Sequence, residues 1–200
     1  MKAIEDGLRA AGISPIAGVD EAGRGPCAGP LVVAAVILED PYAPELSEVR
    51  DSKELSEGKR EKLYDVIHEI ALSVSIINIP VAEIDARGVH AANLDGMRRA
   101  VNGLSLPPAY VLTDGYAIEG LAVPNLAVWK GDKVVVAISA ASIIAKVHRD
   151  RQMRELDLQY PEYGFAKHKG YITAAHTAAL HKYGVTPEHR RSFSNIAALL

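Results

Sequence analysis

The stretch Ile16–Pro30, IAGVDEAGRGPCAGP, decides how the rest of the chain is to be read. An apolar approach, Ile16 to Val19, runs into two adjacent carboxylates, Asp20 and Glu21. A glycine-rich turn follows, with Arg24 between Gly23 and Gly25, and a second apolar run, Leu31 to Leu38 (LVVAAVIL), begins directly after Pro30. Branched residues bounded by turns point to a strand buried on both faces. Two such strands with a short glycine-rich connection predict an antiparallel pair. Adjacent acids at a strand end repel each other unless a cation or a proton relieves them. Glycines let backbone N–H groups approach an anion. The stretch therefore predicts a metal site beside a phosphate-sized cradle, weighed against a merely solvated polar turn.

Outward from this stretch, the pattern alternates between strand and helix. Residues 1 to 14 carry a weak helical pattern (Ile4, Leu8, Ala11) and read as a peripheral lead-in. Ser56 is placed to cap a helix from Glu57 to Ala71, whose apolar Leu63, Val66, Ile67 and Ile70 recur at helical spacing. Leu72 to Ile79 reads as a strand stopped by Pro80, and Val81 to Gly103 as a helix broken near Gly88. Short strands are predicted at Tyr110–Thr113, running into Asp114, and at Pro124–Trp129, running into Lys130, Gly131 and Asp132. A long helix capped by Ser139 or a neighbour reaches about Tyr160. After it come a loop over Pro161–Tyr171, a helix over Thr173–Tyr183, and a tail that is loop-like through Phe193. This order fits one α/β domain with a mixed sheet.

Two hundred residues suit a single domain with a full core. The net charge of −3 does not advertise a nucleic-acid binder, but its distribution is uneven. Lys146 to Arg191 holds nine Lys or Arg against five Asp or Glu, so the C-terminal quarter is predicted to be basic. The lone cysteine, Cys27, excludes an internal disulfide and a zinc-type cysteine cluster. Residues 1 to 15 show no signal peptide, and no apolar run approaches the roughly 20 residues that span a bilayer. A cytoplasmic protein with no membrane partner is expected. Neither a nucleophile-elbow motif nor a Walker-type loop is present, which argues against a serine hydrolase or a P-loop NTPase.

Three strand-like segments end near a carboxylate: Asp20, Asp114 and Asp132. Strand ends on one rim are where α/β sheets gather their sites. With Glu21, these acids form an all-oxygen set of the kind that Mg2+ or Mn2+ requires. Four carboxylates are enough for two ions that clamp an in-line phosphoryl displacement. Adjacent residues of a regular strand face opposite ways, so Glu21 joins Asp20 only if the strand turns there. Taken singly, each Asp reads better as a turn residue; the set is what persuades. Asp150, four residues after Lys146, reads as an ion pair on the helix surface. The segments His168–Tyr171 and His189–Phe193 combine cations and aromatics that suit contact with a nucleic-acid backbone, against a plain solvated basic loop.

These motifs together resemble bacterial ribonuclease HII, a type 2 ribonuclease H. The resemblance rests on GVDEAGRGP from Gly18, DSKELS from Asp51, VLTDG from Val111, KGD from Lys130, ISAASIIAKVHRD from Ile138, YGFAKHKGY from Tyr163 and HRRSF from His189. It implies a ribonuclease H-like fold, a central mixed five-stranded sheet flanked by helices, with a small helical C-terminal part that contacts substrate from about residue 161. It implies a monomeric endonuclease that hydrolyses the RNA strand of RNA–DNA hybrids and incises 5′ of ribonucleotides embedded in duplex DNA. Two divalent ions, Mg2+ or Mn2+, would be held by Asp20, Glu21, Asp114 and Asp132. The resemblance places a 2′-hydroxyl-sensing loop on Gly23, Arg24 and Gly25, its junction-reading partner on Tyr171, and a backbone contact on Lys53. A non-catalytic hybrid binder and a different nuclease of the same fold are the rival readings.

Overall fold

The computed structural model describes residues 3–200. Five strands form one mixed sheet: β1 (Ile16–Ala22), β2 (Leu31–Leu38), β3 (Ala71–Ile79), β4 (Tyr110–Asp114) and β5 (Asn125–Val128). They lie in the order β3-β2-β1-β4-β5. β1 pairs antiparallel with β2, as the glycine-rich connection predicts, and parallel with β4. β2 pairs antiparallel with β3, and β4 parallel with β5.

Every residue of β2 is buried, because both faces of the sheet are covered. Nine helices flank the sheet among the described residues: α1 (Ala3–Ala10), α2 (Glu57–Ile70), α3 (Val81–Arg87), α4 (Val89–Asn102), α5 (Gly131–Val134), α6 (Val136–Gln159), α7 (Phe165–His168), α8 (Ala174–Tyr183) and α9 (Ser194–Ala197). Alternate residues of β2 divide between two cores. Val32, Ala34 and Val36 join the apolar side of α6 and α2; Leu31, Val33 and Ile37 join α3 and α4. A third, smaller cluster ties Cys27 and Ala28 to Tyr163, Phe165, Leu180 and Ile196 of the C-terminal part. None of the described helices is long and apolar enough to cross a membrane.

The central helix α6 packs its first turn directly on β1. A Cβ at Gly18 would stand 2.1 Å from the Ala137 carbonyl carbon, so only glycine allows this approach. Here the structure corrects the expected cap. α6 begins at Val136 and no side chain of its own caps it. Instead the buried Glu5 carboxylate of α1 accepts from the N–H groups of Val136 (2.9 Å) and Ala137 (3.2 Å). A carboxylate there satisfies orphan donors and meets the positive end of the helix dipole. Residues 3–10 are thus a structural brace and not a peripheral lead-in. Ser139 lies inside the helix, its hydroxyl donating to the Asp132 (2.7 Å) and Val135 (3.0 Å) carbonyls. Elsewhere the boundaries match: Ser56 caps α2, Thr173 caps α8, and Gly88 divides α3 from α4. The segment expected as a loop over Pro161–Tyr171 contains the short α7, set between left-handed Gly164 and Lys169.

Candidate active site

Parallel pairing brings the acids together. Val19 is in register with Thr113, so Asp20 and Asp114, one residue further along each strand, reach the same edge of the sheet. Asp114 is in turn opposite Val128, and the chain beyond β5 turns back through Lys130 into α5, which carries Asp132. Asp132 therefore sits in a helical turn rather than at a strand end. Asp20, Glu21, Asp114 and Asp132 line two adjoining recesses of about 310 and 520 Å3 that share Glu21, Arg24 and Lys53.

The strand does not turn at Glu21. β1 stays paired with β2 as far as Ala22 opposite Val32, so Asp20 and Glu21 leave the backbone on opposite faces. Asp20 lies on the α6 side beside Ser142, and Glu21 on the α4 side facing Asn93. Among the described residues, no three acidic, imidazole or thiol side chains converge closely enough to hold an ion as they stand. Electrostatics accounts for the splay. Asp20 Oδ1 accepts from the Glu21 N–H (2.7 Å) and Asp114 Oδ1 from the Gly131 N–H (2.7 Å), while Asp132 stands 3.7 Å from the Lys53 ammonium. Asp20, Asp114 and Asp132 are thus each turned to a donor or a cation, and Glu21 is not.

The acids remain under-compensated even so. Burial, followed by repulsion from Glu21 and Asp114, holds the Asp20 carboxyl well above the usual carboxylate range. Glu21 is pushed up chiefly by burial, and Asp132 by burial and then by Asp114 and Asp51. Glu21 Oε2 and both amide atoms of Asn93 are buried without a closed hydrogen bond, although the amide is near enough to temper the shift of the carboxyl. A buried carboxylate oxygen without a donor is costly unless a cation meets it. This chemistry fits a hard divalent cation: oxygen donors only, excess negative charge, and an orphaned oxygen on one of the carboxylates that line the recess. Lys53, held at the rim by the Asp51-capped turn Ser52–Glu54, is the local counter-charge. Its partial burial disfavours the ammonium, but Asp51, Asp132, Asp20 and Asp114 outweigh this and raise its pKa.

The Gly23–Gly25 loop forms one wall. Behind it lies Arg190, fully buried, whose guanidinium donates to the carbonyls of Gly23 (2.6 Å), Arg24 (3.1 Å) and Gly29 (2.9 and 3.1 Å). Arg149 runs alongside, donating to Pro30 (2.9 Å) and Ala28 (3.2 Å). Gly23 has φ +94°, and a Cβ there would stand 1.9 Å from Arg149 Nε, so both conformation and space demand glycine. The C=O and N–H of a trans peptide point opposite ways. With the Gly23 and Arg24 carbonyls drawn back to Arg190, the N–H groups of Arg24 and Gly25 are aimed away from Arg190. Arg24 itself is laid over the Tyr116 ring, 4.6 Å from its centroid, and also bonds the Tyr116 hydroxyl.

Tyr171 stands against this loop, its Cε1 3.7 Å from where a Gly25 Cβ would be. A directed chain of imidazoles fixes its backbone. The Thr186 N–H donates to His189 Nδ1 (3.0 Å), so His189 Nε2–H donates to His176 Nε2 (3.0 Å) and His176 Nδ1–H to the Tyr171 carbonyl (2.9 Å). Cys27 N–H donates to the Gly170 carbonyl (3.0 Å), locking the two loops together.

The structure revises the reading of the basic segments. His189 and Arg190 are wholly buried and hold backbone in place; they do not present charge to solvent. His168 stacks on His176 at 4.3 Å and bonds the Tyr163 carbonyl (2.7 Å). Arg151 and Arg154 pair with Glu61 and Glu57 of α2. Much of the C-terminal surplus of cations is therefore structural. Asp150, expected on the helix surface, is buried, paired with Lys146 (2.7 Å) and facing Arg60 (3.9 Å). Asn93 and Tyr116 were not among the predicted site residues, and Arg190, expected in a segment facing the nucleic-acid backbone, instead holds the loop from behind. Asn93 alone carried a signal, a polar side chain on the apolar stripe of α4 beside Ala92 and Met97.

Residues 17–196 match the family model described as ribonuclease HII. The ribonuclease HII of Mycobacterium avium (strain 104) is 54% identical over 196 residues, 98% of this chain and 85% of that one. The fold is similar to that of the ribonuclease H2 of Pyrococcus horikoshii OT3, with a TM-score of 0.81, 30% identity, and coverage of 93% of this chain and 97% of that one. It is also similar to the structure described as the PCNA:RNase HII complex from Archaeoglobus fulgidus (TM-score 0.75, 27% identity, 90% and 96% covered).

Proposed function

The chain belongs to the ribonuclease HII family and is a ribonuclease H enzyme, and we propose that its carboxylate rim hydrolyses the RNA strand of RNA–DNA hybrids and incises 5′ of ribonucleotides embedded in duplex DNA. Asp20, Glu21, Asp114 and Asp132 would hold two divalent ions, Mg2+ or Mn2+, which supply the Lewis acidity for activating water and for stabilising the leaving 3′-oxygen, giving 3′-hydroxyl and 5′-phosphate ends. Asn93 orients Glu21 from the α4 side. Lys53 reaches the phosphate backbone from the opposite rim. The Arg24 and Gly25 N–H groups bond the 2′-hydroxyl, the one group by which protein tells RNA from DNA. Tyr171 packs against the next sugar, where a second hydroxyl would fit badly, so selectivity combines an attractive and a repulsive test.

One observation carries this reading: Arg190 holds the loop's carbonyls from behind, which leaves donors, not acceptors, on the side away from it. The decisive experiment is incision of duplex DNA holding one ribonucleotide, with Mg2+ and Mn2+ in parallel and an all-DNA duplex as control. A single metal-dependent cut 5′ of the ribonucleotide is expected. Cutting of the all-DNA duplex would support a different nuclease of this fold, and binding without products a non-catalytic hybrid binder.

A further inference from the structure

The larger recess, of which Tyr171 is not part, is lined by Glu21, Asp114 and Asp132 together with Trp129. This is the chain's sole tryptophan, and it is 81% exposed. An indole left in water forfeits the burial that normally repays so large an apolar side chain. Nor does it sit on a slack loop. The turn that carries it is tied on both sides to Asp114 and its neighbour: the Gly115 N–H donates to the Val128 carbonyl (3.1 Å) and the Gly131 N–H to Asp114 Oδ1 (2.7 Å). Lys130, next in sequence, is held left-handed at φ 53°, a conformation that costs a non-glycine residue free energy. A strained turn, anchored to Asp114, thus presents an aromatic plane at the cleft. Lys53, Lys130 and Arg24 share that recess and suit a polyanion. Tyr171, 52% exposed, lines the other recess with Asp20 and Glu21, so each recess pairs part of the acid set with one exposed aromatic side chain.

We infer that Trp129 is a substrate-binding residue whose indole packs against a sugar of the duplex backbone, in the recess that Tyr171 does not line. The inference rests on the nucleic-acid reading of the cleft. Trp129 positions the strand and touches no reacting atom, so it contributes to binding and not to the chemical step. Aromatic platforms of this kind serve any sequence, because every nucleotide offers a sugar and a base face.

Being the sole tryptophan, Trp129 is its own reporter. The cleavage-deficient Asp20→Asn protein, in buffer containing Mg2+, is titrated with a dye-labelled RNA–DNA hybrid, reading dye anisotropy and tryptophan fluorescence together. Expected is a fluorescence change, with protection from acrylamide quenching, that saturates in step with anisotropy. Saturating anisotropy with unchanged, fully quenchable fluorescence overturns the inference; absence of any anisotropy change overturns instead the nucleic-acid reading beneath it. In the wild-type background, Trp129→Ala should raise KM about tenfold with kcat within about twofold, and Trp129→Phe should recover most of the loss. Equal KM for Trp129→Ala and wild type would also contradict it.

Discussion

Behind the Gly23–Gly25 loop, two buried guanidiniums are matched by backbone carbonyls, with Arg190 alone making four hydrogen bonds. In front of it, four carboxylates share a rim where Asp20 is buried and repelled and Glu21 Oε2 has no donor. Both regions bury charge, but only the rear one is complete in the protein alone. Burial lowers the Arg190 pKa to about 9 and the Arg149 pKa to about 10, so both stay charged at neutral pH. Satisfied buried charge marks structure, and unsatisfied buried charge marks a place for something else.

Breaking the front should cost chemistry without costing the fold. Asp20→Asn or Asp114→Asn is expected to lower kcat/KM by about a thousandfold or more while the far-UV spectrum is unchanged. Breaking the rear should cost the fold first, and with it the aim of the Gly23–Gly25 loop. Arg190→Ala strands three carbonyls at about 1–3 kcal/mol each, so a loss of at least about 3 kcal/mol, or a Tm lower by at least roughly 6–12 °C, is expected by thermal denaturation. Arg190→Lys should recover only part, since an ammonium cannot reproduce the planar fork.

Tyr171 stands at the boundary between the two. Tyr171→Ala should slow incision at a single embedded ribonucleotide by about tenfold, with a smaller loss on long hybrids; equal losses would remove its junction role. The smallest effect belongs to the histidine chain. Burial and the neighbouring His176 lower the His189 pKa to about 4, against 6.5 for a free imidazole. The unfolded chain then binds the proton first, so this contribution is fully present above pH 6.5 and is lost as pH falls toward 4. At pH 5.5 the loss is about 1 kcal/mol, and urea denaturation of His189→Asn should show a shallower acid limb.

The stretch Ile16–Pro30 made the strand pair and the acids legible because its signals are local: alternation of apolar runs, a turn, and adjacent carboxylates. Asp114 was legible because it ends an apolar run. Glu5 was not, since a carboxylate capping a helix 131 residues away leaves no mark in its own neighbourhood. Arg190 was misread for the same reason. A basic run suggests surface, and only the fold shows that His189 and Arg190 turn inward to Cys27, Gly23 and Arg24. The opposite facing of Asp20 and Glu21 followed from strand geometry, but whether the strand turned at Glu21 depended on pairing with β2.

The contrast between the two regions is tested most directly by the Tm of wild type and Asp20→Asn in EDTA and in Mg2+. Without metal, Asp20→Asn relieves the rim of repulsion on the order of 1 kcal/mol and should melt about 2–4 °C above wild type. Mg2+ should raise the wild-type Tm and leave Asp20→Asn nearly unmoved. A wild-type protein indifferent to Mg2+, or an Asp20→Asn protein that melts lower in EDTA, would contradict the account.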